Sequence, residues 1–278
     1  MAGGRAGAAV RVAGGLAVAV VFLLPLYFLV VGSLREAGVP PPRTPELLPR
    51  ALHPENYERA SELGSLGRAA ANSLLVAALA VPLSIVVASW AGFALAQLRG
   101  RATSLVVGAS LVALMIPSTA LLVPRFALYR ELGLIDTYVP LVAPALLGMS
   151  PFAVLIFWWS FNRLPRGLFD AARIEGITPF GAWWRIGMPL VRPATGALAT
   201  LAFISTWGNV LDPLVYLFDP DLYTLPLRLR ALAQLDAADA PVYLAGAVAA
   251  TIPVLLVFLV AQRFFLDERG GAGWLGRE

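Results

Sequence analysis

The 278-residue chain has no cysteine, no lysine and a single histidine, His53. Without cysteine, neither a disulfide framework nor a thiolate metal site can form. His53 stands beside Pro54 in a polar stretch, and because a metal site needs several converging ligands it reads as a solvated loop residue. All 21 basic residues are arginine. A Walker-type phosphate loop requires a lysine, so any nucleotide-driven step would need a separate polypeptide. A membrane enzyme acting on lipid or glycan would need a nucleophile, base or metal ligands converging at one depth. The lone histidine and the lack of an intramembrane acid pair speak against that class.

Charge is also scarce: charged residues are 14% of the chain and apolar residues 59%, a balance that water-facing surface does not allow. The bilayer is the implied solvent. Its hydrocarbon core is about 30 Å thick and needs roughly 20 apolar residues per helix. Six segments fit, near 12–32, 70–97, 103–123, 138–160, 194–217 and 242–265, so the expected fold is all-α, a polytopic membrane protein with six transmembrane helices. The first run is longer than the apolar part of a cleaved signal peptide and lacks a small-residue cleavage site before Arg35, so it reads as a retained anchor.

Orientation follows from arginine placement. With both termini in the cytoplasm, twelve arginines fall inside and nine outside. The short loop from Gln97 to Thr103, with two arginines and no acid, and the loop from Asn162 to Pro193, with five arginines, set the bias; Arg125 and Arg130 argue against it. Residues 33–68 form an external segment with an extended PPPRTPELLP start and a short helix at HPENYERA. Residues 124–137 read equally as an amphipathic interfacial segment or as a connecting loop. Ala80, Ser84, Ala88 and Gly92 recur every four residues and would let another helix approach closely. Pro82, Pro117, Pro144, Pro151 and Pro253 each free a backbone carbonyl, through plain bends or kinks beside a pathway.

The longest polar interruption on the cytoplasmic side is 162–193. Pro165 opens a helix with Leu168, Ala171, Ala172 and Glu175 on one face, and Gly176 supplies the left-handed residue that closes it. Thr178 caps a second helix with Pro179 at its first position, and Pro189 is expected to stop it. Two short helices about a glycine turn make a rigid knob, which on physics alone is either a docking element or an ordinary interfacial loop.

The run Asp170-Ala171-Ala172-Arg173-Ile174-Glu175-Gly176, followed by Ile186, Pro189, Leu190 and Pro193, resembles the EAA loop of binding-protein-dependent ABC importers, EAAxxDGA then IxLPLxxP. It departs at Asp170, Glu175, Ile177 and Met188. Asn72-Ser73 and the stretches 123–138, 207–229 and 261–277 are similar to carbohydrate permeases related to the maltose importer's inner membrane subunits.

That resemblance implies a single permease domain with no catalytic residues, joined to an ATPase dimer that holds ATP and Mg, a second homologous permease, an extracytoplasmic sugar-binding protein and membrane lipid, but no nucleic acid. It implies a bacterial inner membrane location. It places ATPase coupling on Asp170, Ala171, Ala172, Glu175, Gly176 and Pro189, and docking of the binding protein on the acidic segment from Asp219 to Asp239, for which a passive loop is the alternative. Trp207, Asn209, Asp212 and Tyr216 at the fifth span are candidate substrate contacts, because intramembrane polar groups are costly without a role. Solvation of Asp212 and interfacial anchoring by Trp207 and Tyr216 are the bland alternatives. A permease for a non-sugar solute and a secondary transporter are the rival readings.

Overall fold

The computed structural model describes residues 2–40, 44, 46–98, 100–148, 150–234 and 237–266, and every regular element among them is helical. The segment from 267 onward, which carries the tail of the carbohydrate-permease resemblance, lies outside the described residues. The helices are α1 (Ala2–Ser33), α2 (Glu55–Gly64), α3 (Leu66–Gln97), α4 (Arg101–Leu114), α5 (Leu122–Glu131), α6 (Pro151–Asn162), α7 (Arg166–Ile174), α8 (Pro179–Leu190), α9 (Arg192–Trp207), α10 (Leu211–Tyr216), α11 (Leu225–Leu232) and α12 (Ala240–Leu266). Among the described residues four stretches are long and apolar enough to cross a membrane: Arg11–Ser33, Leu66–Gln97, Val139–Asn162 and Ala240–Gln262. Two bent pairs complete six if each is one span, Arg101–Leu114 with Ser118–Glu131 at 84° and Pro179–Leu190 with Arg192–Trp207 at 86°.

The third and fifth spans therefore differ from the straight helices expected at 103–123 and 194–217. Pro117 takes an extended conformation, φ −62° and ψ 128°, and interrupts the helix between Leu114 and Ser118. Residues 124–131, left open between an interfacial segment and a loop, belong to α5. The fifth span ends at Trp207, and Leu211–Tyr216 forms a separate short helix. Pro151 is not a kink; it starts α6, where Ser150 accepts a hydrogen bond from the Phe152 amide at 3.2 Å.

The chain divides into two compact units, residues 1–67 with 228–252 and residues 68–227 with 253–278. In the first, the HPENYERA helix is α2, and it holds the end of α1. Buried Asn56 donates through Nδ2 to the carbonyl of Ser33 (2.9 Å), one of the acceptors a helix C-terminus leaves without a partner, and to that of Arg35 (2.7 Å) just beyond it. His53 is half-buried and its Nδ1 lies 2.7 Å from Glu55 Oε1, while the helix-start amide and this contact hold the Glu55 carboxyl below its ordinary pKa.

In the second unit the small-residue stripe does what its spacing predicts. Ala80, Ser84 and Ala88 are buried on α3. At Gly92 an added Cβ would lie 2.6 Å from Phe157 Cβ, 2.8 Å from the Trp158 nitrogen and 2.9 Å from the Val154 oxygen, so α3 and α6 approach backbone to backbone there. Backbone cannot step aside as a side-chain tip can. Gly92→Ala is expected to lower the thermal midpoint of the detergent-solubilised protein, at a cost of about 1–3 kcal/mol. Gly108→Ala, where a Cβ meets nothing within 4 Å, should leave the midpoint unchanged or raise it.

Candidate functional site

Two features of the second unit carry chemistry, an exposed knob and a cavity. The knob is α7 and α8. Pro165 precedes α7, and Gly176 at φ +75° closes it. The Ile177 amide donates to the Ala172 carbonyl (2.9 Å) and the Gly176 amide to that of Arg173 (3.0 Å), the paired closure that a left-handed residue permits. Thr178 Oγ1 then accepts from the Gly181 amide at 3.2 Å and starts α8. Pro189 does not stop that helix at its own position. The turn widens to a π-helix over Ala182–Gly187, and the helix runs to Leu190 before bending at Val191. A widened turn relieves the clash a proline ring makes with the carbonyl four residues earlier.

Aromatic packing anchors the knob. Phe169 and Ala172 are buried on its inner face, and the Phe169 ring meets Phe93 of α3 edge-on at 5.4 Å. Phe93 in turn meets Phe161 of α6 at 5.4 Å, and buried Trp183 meets Trp90 at 5.2 Å. Arg173 adds a polar tie, its Nη2 donating to Gln97 Oε1 at 2.9 Å while Nη1 lies 3.4 Å from Asp170 Oδ1. Asp170, Ala171, Glu175, Gly176 and Pro189 are exposed, as a docking surface requires, whereas Ala172 faces inward and fixes the helix in place. Ile174 was not singled out in the sequence, yet it is 87% exposed at the tip of the knob. The available signal was its departure from the amphipathic phase of α7.

The cavity, about 540 Å³, is bounded by α3, α5, α6, α9 and α10, by the short helical stretch Val139–Leu147 and by Gly148 and Ser150. Ser73, Ser84, Ser118, Ser150, Ser205, Thr206 and Thr224 are among its lining residues, beside Asn209, Asp212 and Arg125, and the hydroxyls of Ser73, Ser84 and Ser150 also bond backbone groups. Asn209 and Asp212 hold each other, Asn209 Nδ2 donating to Asp212 Oδ2 at 2.8 Å and the Asp212 amide donating to Asn209 Oδ1 at 3.2 Å. Asp212 Oδ1 lies 3.5 Å from Arg125 Nη1. The Arg125 guanidinium also sits over the rings of Tyr129 (6.0 Å) and Tyr216 (5.6 Å). Tyr216, fully buried, thus stands behind Arg125 rather than on the wall, and Trp207 stacks on Phe203 at 5.5 Å and does not line the cavity.

Arg125 is the residue that sequence reading missed as a site member, having counted it only as loop charge. Asn72 and Ser73, quoted above for resemblance alone, have a physical task. Asn72 Nδ2 donates to the carbonyls of Asp221 (2.8 Å) and Tyr223 (3.1 Å), and Ser73 Oγ accepts from the Leu225 amide (2.8 Å), so α3 fixes the segment that follows α10. Asp136, at φ +62°, accepts through Oδ1 from the amides of Phe218 and Asp219, both at 2.9 Å, and fixes the end of α10 from the other side. Among the described residues no group of three or more His, Asp or Glu converges to hold a metal.

A family described as the binding-protein-dependent transport system inner membrane component matches residues 65–266. The arabinooligosaccharides transport system permease protein AraQ of Bacillus subtilis is 31% identical over 256 residues, 88% of this chain and 88% of that protein. The lactose transport system permease protein LacG of Rhizobium radiobacter is 30% identical over 201 residues, 72% of this chain and 73% of that one. Among solved structures, a chain of a bacterial ABC transporter involved in the import of the acidic polysaccharide alginate superposes with a TM-score of 0.74 at 22% identity, covering 94% of this chain and 97% of its own. That likeness fixes the fold alone.

Valine at 176 would put a β-branched residue into the left-handed conformation, at a cost of roughly 1–2 kcal/mol. Limited trypsin digestion should cut after Arg173 about tenfold faster in Gly176→Val than in the wild type. Gly176→Asn should change it little, since asparagine tolerates that region.

Proposed function

Because the chain belongs to the family of binding-protein-dependent transport system inner membrane components, we propose that this multi-pass inner membrane protein is a permease subunit of an ATP-driven importer and carries a saccharide. The observation that carries the reading is one unit that unites a hydroxyl-lined cavity among apolar helices with a rigid, exposed helical knob. The saccharide comes from the relatives' substrates, arabinooligosaccharides and lactose, and from the hydroxyl groups on the cavity wall.

In this reading the knob sits in a cleft of a separate ATPase dimer, which holds ATP and Mg. Asp170, Ala171, Ile174, Glu175 and Gly176 meet that partner, with Pro189 at the far end of α8. Phe169, packed against Phe93, passes its movement to α3, and Ala172 is buried on the same helix. A second permease completes the pathway, an extracytoplasmic binding protein delivers the sugar, and the segment from Asp219 to Asp239 receives it. Both chain termini lie in the cytoplasm, on the side of the knob. Asn209 and Asp212 belong to the substrate path, with Tyr216 behind them.

Mass spectrometry of what co-purifies from native membranes in mild detergent tests the proposal. Wild-type chain should bring down an ATPase and a second permease. An Ile174→Arg, Glu175→Arg double variant, altered only on the exposed tip, should lose the ATPase by about tenfold or more while keeping the permease. A chain that purifies alone and transports in vesicles without ATP would overturn the reading in favour of a secondary carrier.

A further inference from the structure

The cavity wall carries two charges, and they are spent on each other. Arg125 and Asp212 lie 3.5 Å apart with only 23% and 18% of their side chains exposed. Arg125 Nη2 also reaches the Pro140 carbonyl at 3.4 Å, and the guanidinium lies over the rings of Tyr129 and Tyr216. The remaining Asp212 oxygen accepts from Asn209 Nδ2. Neither charge is presented alone to a solute, and the rest of the polar wall is uncharged. At about 540 Å³ the cavity falls within the range of small-molecule sites.

We propose that Asp212 is a specificity-determining residue that masks Arg125, so that the pathway takes uncharged, polyhydroxylated saccharides and turns away acidic ones. This rests on the saccharide-importer reading and narrows its substrate class. A uronate or sulfonate entering the cavity would have to displace Asp212 from Arg125 and lie against the displaced carboxylate, a like-charge contact that works as a repulsive element. A neutral sugar meets hydroxyl groups that donate and accept, and breaks no ion pair. The alginate importer whose chain shares this fold handles an acidic polymer, so fold does not settle the charge of the cargo, and the residues on the wall must.

The test is uptake of radiolabelled probes by cells lacking the chain and complemented with the wild type or variants, at matched membrane levels by immunoblot. The probes are arabinotriose, lactose, trehalose and maltotriose on one side and digalacturonate on the other. The wild type should restore uptake of at least one neutral probe and none of digalacturonate. Asp212→Asn, which bares Arg125, should cut that neutral uptake by about tenfold, and Arg125→Gln with Asp212→Asn should recover most of the loss. A pair that is only a structural strut lowers the thermal midpoint of the single variant along with its uptake and restores both together in the double one, and that result overturns the proposal. Chain-dependent digalacturonate uptake would overturn it too while leaving the importer reading intact. No chain-dependent uptake of any saccharide would remove the saccharide reading and this inference with it.

Discussion

A backbone amide in hydrocarbon has no water to bond, and this constraint governs the chain from end to end. It makes every described spanning stretch helical and allows departures from the helix only where protein or a polar cavity can take over the freed groups. Among the described residues the stretch Val139–Asn162 breaks at Gly148 and Ser150, beside the cavity, and the chain also departs twice by a sharp bend, each adjoining the cavity or the knob. The first, at Pro117, brings Ser118 and then Arg125 to the cavity. The second, at Val191, turns α8 away from α9 by 86°, which lets the knob project from the end of a span instead of prolonging it.

Prolines and glycines made the local part of this arrangement readable. Pro165, Gly176, Thr178 and Pro179 mark α7 and the start of α8 because each fixes a backbone angle or satisfies a terminal amide within a few residues. The stripe from Ala80 to Gly92 was readable for the same reason, since helical period alone puts those residues on one face. The π-helix ahead of Pro189 was not, because a widened turn has no compositional mark and depends on how the helix packs.

Nor could the sequence join Arg125 to Asp212. The two are far apart in the chain, and their pairing depends on α5 and α10 lying side by side after the third span has bent. Without that bend Arg125 falls beyond the end of an expected span and looks like interface charge. Asn72 and Asp136 show the same limit. Each is an ordinary polar residue locally, and each acquires its task only when the chain around Asp219 and Asp221 returns to it. Trp207 illustrates the reverse error of emphasis, an aromatic that looks like a sugar platform and packs on Phe203 instead.

The knob and the cavity meet on one element. Within α3, Ser73, Ala80 and Ser84 line the cavity, while Phe93 and Gln97 hold the knob. At about 1.5 Å rise per residue, Ser84 and Gln97 are roughly 20 Å apart along the same helix. The close approach at Gly92 lies between them and seats this stretch directly on α6, whose Phe152 and Ala153 line the cavity and whose Phe161 supports the knob. A push on the knob therefore meets two helices already packed to backbone distance, with no soft side-chain layer between them to absorb the movement. The half-buried ion pair at the cavity has a different role, since partly desolvating two charges offsets much of what their attraction returns. If Asp212 masks Arg125 as we propose, the worth of the pair lies in what it excludes, while the stability of the unit rests on the apolar packing of α3 against α6.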